Sequence, residues 1–197
     1  SHRHYESDKI LFKKFTDQTG IKINVIKGSA DQLIERLVSE GNNSPADILL
    51  TVDAGRLYRA KAAGILQPVE SKKIYENVPP SMRDPDGHWF GLTVRARVLV
   101  YSKERVKPSQ LSTYEDLATR KWRGKIAVRS SSNIYNQSLM ASMIEANGSR
   151  KALSWAKSVR KNMARAPRGS DRDQARAVAA GLADVAIINT YYLGILA

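Results

Sequence analysis

The sequence predicts an α/β protein built as two lobes around a ligand cleft. Three observations predict it. The first 64 residues alternate helix, strand, helix, strand, helix, the pattern of a largely parallel sheet with covering helices. A long extended segment, 90–101, then leads into a second α/β unit. The chain of 197 residues, 42% hydrophobic, has enough apolar material for one large domain or two small lobes.

Residues 6–19 predict a helix, with Ile10, Leu11 and Phe15 on one face and Gly20 as the stop. Residues 21–26 alternate polar and apolar and predict a strand. Ser29 to Gln32 forms a capping box ahead of a helix carrying Leu33, Ile34, Leu37 and Val38 on one stripe. Residues 46–53 predict a second strand, and 54–63 a helix closed by Gly64. Prolines 68, 79, 80 and 85 mark the next stretch as loops. In the extended segment Arg95 and Arg97 share one face by the period of two. Ser112 to Glu115 reads as a capping box before a short helix, and 125–129 as a strand. Ser130 to Asn133 opens a helix containing Tyr135, Leu139, Met140 and Met143, ended by Gly148. Helices at 149–163 and 172–180 precede a short, branched apolar run, Val185 to Ile188, that predicts a buried strand. These elements place a first lobe at 1–94, a hinge-crossing strand at 95–101 and a second lobe at 102–197. Both ends are expected to be incomplete: the first element is a helix without a leading strand, and the last strand is followed by only the start of another helix.

Composition narrows the function classes. Cysteine is absent, which excludes disulfides, thiolate metal sites and cysteine nucleophiles. No apolar run approaches the ~20 residues of a membrane-spanning helix. The polar opening Ser1-His2-Arg3-His4 carries no signal-peptide pattern, as in a processed exported chain and equally in a cytosolic one. The formal charge of +13 makes nucleic acid or an acidic surface an obvious partner class, but the bases are dispersed and no nucleic-acid-binding motif accompanies them. There is no Gly-rich phosphate loop and no Gly-x-Ser-x-Gly elbow. The three histidines have no triad spacing, and the carboxylate pairs Asp84/Asp86 and Asp171/Asp173 sit where Asp is expected for turns and helix starts. Ser130 to Asn133, at a strand-to-helix junction, would hold an anion through backbone N–H groups or serve as an ordinary N-cap.

Tyrosine placement is more informative. Tyr135 lies in the first turn of a helix after a strand, and Tyr191 and Tyr192 follow the last strand. His4 and Tyr5 stand where the first helix begins. In open α/β sheets ligands bind at the carboxyl ends of strands. Two phenols at such an end are ordinary packing or hard oxygen ligands. A lone phenol, with a pKa of about 10, is neutral at pH 7, and a strongly charged cation favours the phenolate. Several phenolates suit Fe(III) better than Zn(II) or Cu(I). Arg95 would balance the excess negative charge, or is a surface strand residue.

The chain resembles the bacterial ferric-iron-binding proteins of ABC transporters, cyanobacterial type. The resemblance rests on Ser-His-Arg-His-Tyr at 1–5, Ser-Pro-Ala-Asp-Ile-Leu-Leu-Thr-Val-Asp-Ala-Gly-Arg-Leu at 44–57, Arg-Ala-Arg-Val at 95–98, Leu-Ser-Thr-Tyr-Glu-Asp-Leu at 111–117, Arg-Ser-Ser-Ser-Asn-Ile-Tyr-Asn-Gln-Ser at 129–138 and Asn-Thr-Tyr-Tyr-Leu at 189–193. It implies a type II periplasmic-binding-protein fold whose lobes close on the ligand. It implies Fe(III) ligation by Tyr5, Tyr135, Tyr191 and Tyr192, with His4 a ligand in some relatives and Arg95 beside the iron. Some relatives place a carboxylate ligand near Val52-Asp53; this chain does not reproduce that pattern, and Asp53 is not assigned. The implied protein is a periplasmic monomer, not an enzyme, and delivers ferric ion to an inner-membrane permease without binding nucleic acid. Relatives have roughly a further third of chain that completes the first lobe. The rival expectations are a small-oxyanion-binding protein of the same fold and a basic nucleic-acid-associated domain.

Overall fold

The computed structural model describes residues 6–192. The chain divides into two compact units, 1–92 and 93–197.

Unit 1 is helical among its described residues. It holds α1 (Glu6–Thr19), α2 (Ala30–Glu40), α3 (Ala54–Ala62) and α4 (Lys72–Asn77). The predicted capping box is present: the Ser29 side chain accepts from the Gln32 backbone, and the Gln32 side chain accepts from Ser29 N–H. It starts α2, whose Leu33 and Ile34 are buried. The expected strands at 21–26 and 46–53 do not form. A strand exists through its ladder partners, and these segments have none among the described residues. Ile21, Ile26 and Ile48 stay exposed, Ile21 at 58% and Ile48 at 84%, and Ile23, Val25 and Val52 are only half-buried. The apolar face of α1 is also exposed, Ile10 at 73%. The 83–90 turn is held differently, by charge. Arg83 and Phe90 form an isolated antiparallel bridge, and Gly87 takes a left-handed φ of 75°. Lys61 Nζ donates to Asp84 at 2.9 Å and to Asp86 at 2.6 Å, and His88 N–H donates to Asp84 at 3.1 Å.

This turn carries a pH prediction. Burial pushes the Asp84 carboxyl up, but hydrogen bonds from Lys61 and His88 outweigh it and bring the pKa from 3.8 down to about 2. A depressed carboxylate contributes stability that is present above 3.8 and is lost as pH falls towards about 2. Thermal melts of the wild-type chain across that window are expected to show a falling midpoint, and Asp84→Asn to flatten the fall. An identical slope in the variant would refute the assignment.

Unit 2 is a three-layer α/β structure among its described residues. The sheet has the order β1 (Arg97–Tyr101), β3 (Val185–Asn189), β2 (Ile126–Ala127). β1 runs antiparallel to β3, with Leu99 opposite Ile187, and β2 runs parallel to β3, with Ile126 opposite Val185. The sheet is therefore mixed, and the extended segment expected over 90–101 becomes a strand only from Arg97. Val185 to Ile188 was expected as a buried strand, and every residue of β3 is buried. Alternation decides what each residue meets. Val185 and Ile187 join a cluster with Leu117, Trp122, Ile126, Leu139 and Met143. Ala186 and Ile188 join the opposite cluster with Ala177, Val178 and Tyr192. The first cluster includes residues of α5 (Ile134–Asn147) and α6 (Ser149–Asn162), the second residues of α7 (Asp171–Ala179). A central strand covered on both faces reads as a nearly continuous apolar run, as Val185 to Ile188 do, and the buried Asn189 that ends β3 is hydrogen-bonded to Arg97 and Asp171. The expected capping box at Ser112 is replaced by Asp116, whose carboxylate accepts from both Ser112 and Thr113 N–H, and the following helix is a single 3-10 turn, Glu115–Ala118. Asn162, buried in this unit, has its amide satisfied: Nδ2 donates to the Leu117 and Thr119 carbonyls at 2.9 and 2.8 Å.

Candidate metal centre

Three tyrosines meet at one edge of the unit 2 sheet. Asn133 caps α5 by accepting from Tyr135 N–H at 3.0 Å, which fixes Tyr135 in the helix's first turn. The chain leaves β3 into a 3-10 turn, Thr190–Tyr192, started by the bond from Thr190 N–H to the Ala96 carbonyl at 2.9 Å. This turn stacks the two adjacent rings, with centroids 4.2 Å apart and planes at 35°. Tyr135 and Tyr192 are buried and Tyr191 is half-buried.

Arg95 links the two segments. Its Nη1 donates to the Tyr135 hydroxyl at 3.3 Å, and its Cζ lies 5.5 Å from the Tyr135 ring and 5.8 Å from the Tyr191 ring. Both distances fall within cation–π range. Arg97 and Arg129 approach the Tyr135 ring at 5.8 and 5.6 Å, and Arg172 the Tyr192 ring at 5.7 Å. Four guanidinium groups thus stand within 6 Å of the tyrosine rings, two of them, Arg97 and Arg129, paired with Asp171. Tyr135, Tyr191, Tyr192 and Arg95 are brought together; His4 and Tyr5 lie outside the described residues.

Beneath the rings runs a buried polar network that sequence reasoning did not find. Asp171, fully buried, accepts from Arg97 Nη1 at 2.9 Å, from Arg129 Nη1 at 3.3 Å and from Asn189 N–H at 2.9 Å. In sequence Asp171 is one of two acids at a helix start, where a local role suffices. The local role belongs to its neighbour: Asp173 accepts from Ser170 N–H at 2.7 Å and closes the capping box of α7.

A second cluster, Asp84, Asp86 and His88, brings ligand atoms within 4.8 Å of one another. The Lys61 ammonium donates to both aspartates and already supplies the cation there. Ser130 to Asn133 behaves as a turn and cap: Asn133 N–H donates to the Ser130 carbonyl, and Ser130 and Ser132 hydroxyls bond at 2.8 Å. Asp53 caps α3 by accepting from Gly55 N–H at 3.0 Å.

Residues 43–197 match the family described as bacterial extracellular solute-binding protein. The chain is 56% identical over 194 residues to iron uptake protein A1 of Synechocystis, covering 98% of this chain and 54% of that protein. It is 31% identical over 179 residues to the Fe(3+)-binding periplasmic protein of Serratia marcescens, covering 90% of this chain and 52% of that protein. Among solved structures it is similar to the Trichodesmium protein (IdiA, FutA) in complex with iron and citrate, with a TM-score of 0.95 at 56% identity over 98% of this chain and 61% of that one. The ferric binding protein of Campylobacter jejuni superposes with a TM-score of 0.91 at 47% identity, covering 98% of this chain and 62% of that one. The chain thus spans about half the length of the relatives it matches. The fold is that of the type II periplasmic ferric-binding proteins, represented here in part. The chain belongs to the bacterial extracellular solute-binding protein family.

Proposed function

We propose that the protein captures Fe(III) through tyrosinate oxygens and delivers it to an ABC-type importer. The observation that carries the reading is the gathering of Tyr135 and Tyr191 around Arg95, with Tyr192 stacked on Tyr191. Hard trivalent iron prefers anionic oxygen, and phenolates supply it. Arg95 offsets the negative charge of the ligand set without competing for the metal, because guanidinium stays protonated. The resemblance adds Tyr5, and His4 in part, to the proposed ligands. Relatives named for iron uptake and for Fe(3+) or ferric iron binding support the choice of cargo. The protein would act in the periplasm as a carrier rather than an enzyme, with an inner-membrane permease as its partner.

Adding ferric citrate to the metal-free whole protein tests this. A visible phenolate-to-iron absorption band and a raised melting temperature are expected, since a ligand that binds the folded state stabilises it. A colourless protein with an unchanged melting temperature would refute the iron reading. Acidification is expected to release the metal: ligand phenolates bind iron only when deprotonated, so protons displace the ion as pH falls. Loss of the visible band on stepwise acidification reports this directly, and a band that persists into strong acid would exclude phenolate ligands.

A further inference from the structure

We propose that Asp171 is the positioning residue of the tyrosine site, joining both tyrosine-bearing segments into one frame and holding two of the arginines that surround them. This rests on the iron-binding reading above. The Asp171 carboxylate serves three segments at once. Its Oδ2 accepts from Asn189 N–H, at the end of β3 and two residues before Tyr191. The same oxygen accepts from Arg97 Nη1 of β1, and Oδ1 from Arg129 Nη1, just before α5. Arg97 carries the connection onward. It donates to Asn189 Oδ1 at 2.9 Å, and through Nε and Nη2 to Asn136 Oδ1 at 3.2 and 2.7 Å. Asn136 directly follows Tyr135, and its Nδ2 donates to the Arg129 and Ser130 carbonyls at 2.8 and 3.2 Å. The chain segments that present Tyr135 and Tyr191 thus share one hydrogen-bonded network centred on a carboxylate with no solvent exposure.

Stability alone does not account for this arrangement. A buried ion pair is often no more stable than an apolar replacement, and its best-attested benefit is a specified geometry. Helix capping does not account for it either, because Asp173 fills that role for α7. Charge adds a second consequence. Arg97 and Arg129 both stand within 6 Å of the Tyr135 ring, at 5.8 and 5.6 Å, and Asp171 is paired with both. Without it, two guanidinium groups would lose their counter-charge beside a site proposed for a trivalent cation.

The test is ferric citrate titration of the whole protein, wild type against Asp171→Asn. Asparagine keeps the shape and an acceptor for Asn189 N–H but removes the charge. Iron affinity is expected to fall about 10–100-fold, the range for groups that orient metal ligands. The visible band is expected to shift at full iron saturation, while the far-ultraviolet dichroism is retained. Asn136→Ala, at a half-buried position, cuts the far end of the network without stranding a carboxylate. It is expected to lower affinity about 10-fold, and it decides the matter if Asp171→Asn does not fold. Wild-type affinity and band position in the variant, even with a lowered melting temperature, would overturn the positioning role. A wild-type protein that forms no coloured complex would instead overturn the iron reading itself.

Discussion

Tyr191→Phe is expected to lower the Fe(III) affinity of the protein by at least about 100-fold, since a lost ligand should cost no less than a lost orienting group. The substitution removes one oxygen and keeps the ring. The stack on Tyr192 at 4.2 Å and the contact with Arg95 at 5.8 Å would both survive. The metal-free variant should therefore melt close to the wild type, and the loss should appear in iron binding alone. Tyr135→Phe is expected to cost a similar factor and also to release the Arg95 hydrogen bond at 3.3 Å. Competition against citrate, followed in the visible band, measures the affinity, and a melt of the metal-free protein measures the fold. Wild-type affinity in both variants would remove these tyrosines from the ligand set. A matched loss of affinity and stability would assign them to packing.

The largest stability effect is expected from Ile187→Ala, at about 3 kcal/mol for unit 2. Ile187 is 2% exposed at the centre of β3, opposite Leu99, and packs in the cluster of Leu117, Trp122, Leu139 and Met143. A covered strand relaxes little around a missing side chain, so the cavity adds to the lost transfer energy. For a unit of this size the loss amounts to more than ~10 °C in melting temperature. Ile48→Ala is the contrasting case. Ile48 is 84% exposed, and its loss is expected to stay within about 0.5 kcal/mol. Thermal and urea unfolding of the two variants measures both effects. Equal effects would contradict the burial pattern described here.

Most of unit 2 was legible because its signals are local. β3 is a short branched run bounded by turn residues, and Gly148, at a left-handed φ of 79°, ends α5 as expected. The tyrosines were legible as candidates because each follows a strand, and a strand end is a fixed place in an α/β sheet. Unit 1 was legible only in its helices. Segments 21–26 and 46–53 have strand patterns, but a pattern states only that a segment would suit a sheet. Pairing has to come from another part of the chain, and among the described residues none supplies it. The extended segment after Phe90 shows the same distinction, since pairing with β3 begins only at Arg97.

The sequence by itself determined the helices α5, α6 and α7 of unit 2, the buried character of β3 and the positions of Tyr135, Tyr191 and Tyr192 at element boundaries. These follow from periodicity, capping and turn chemistry, which act within a few residues. Only the tertiary structure decided that Arg95 reaches both Tyr135 and Tyr191, and that Asp171, not Asp173, is the buried acid. Arg97 and Asp171 are 74 residues apart, and their 2.9 Å contact exists because β1 pairs with β3 and α7 packs beside it. A charge pair of that span leaves no periodic trace in the chain, since its spacing is set by sheet pairing and helix packing.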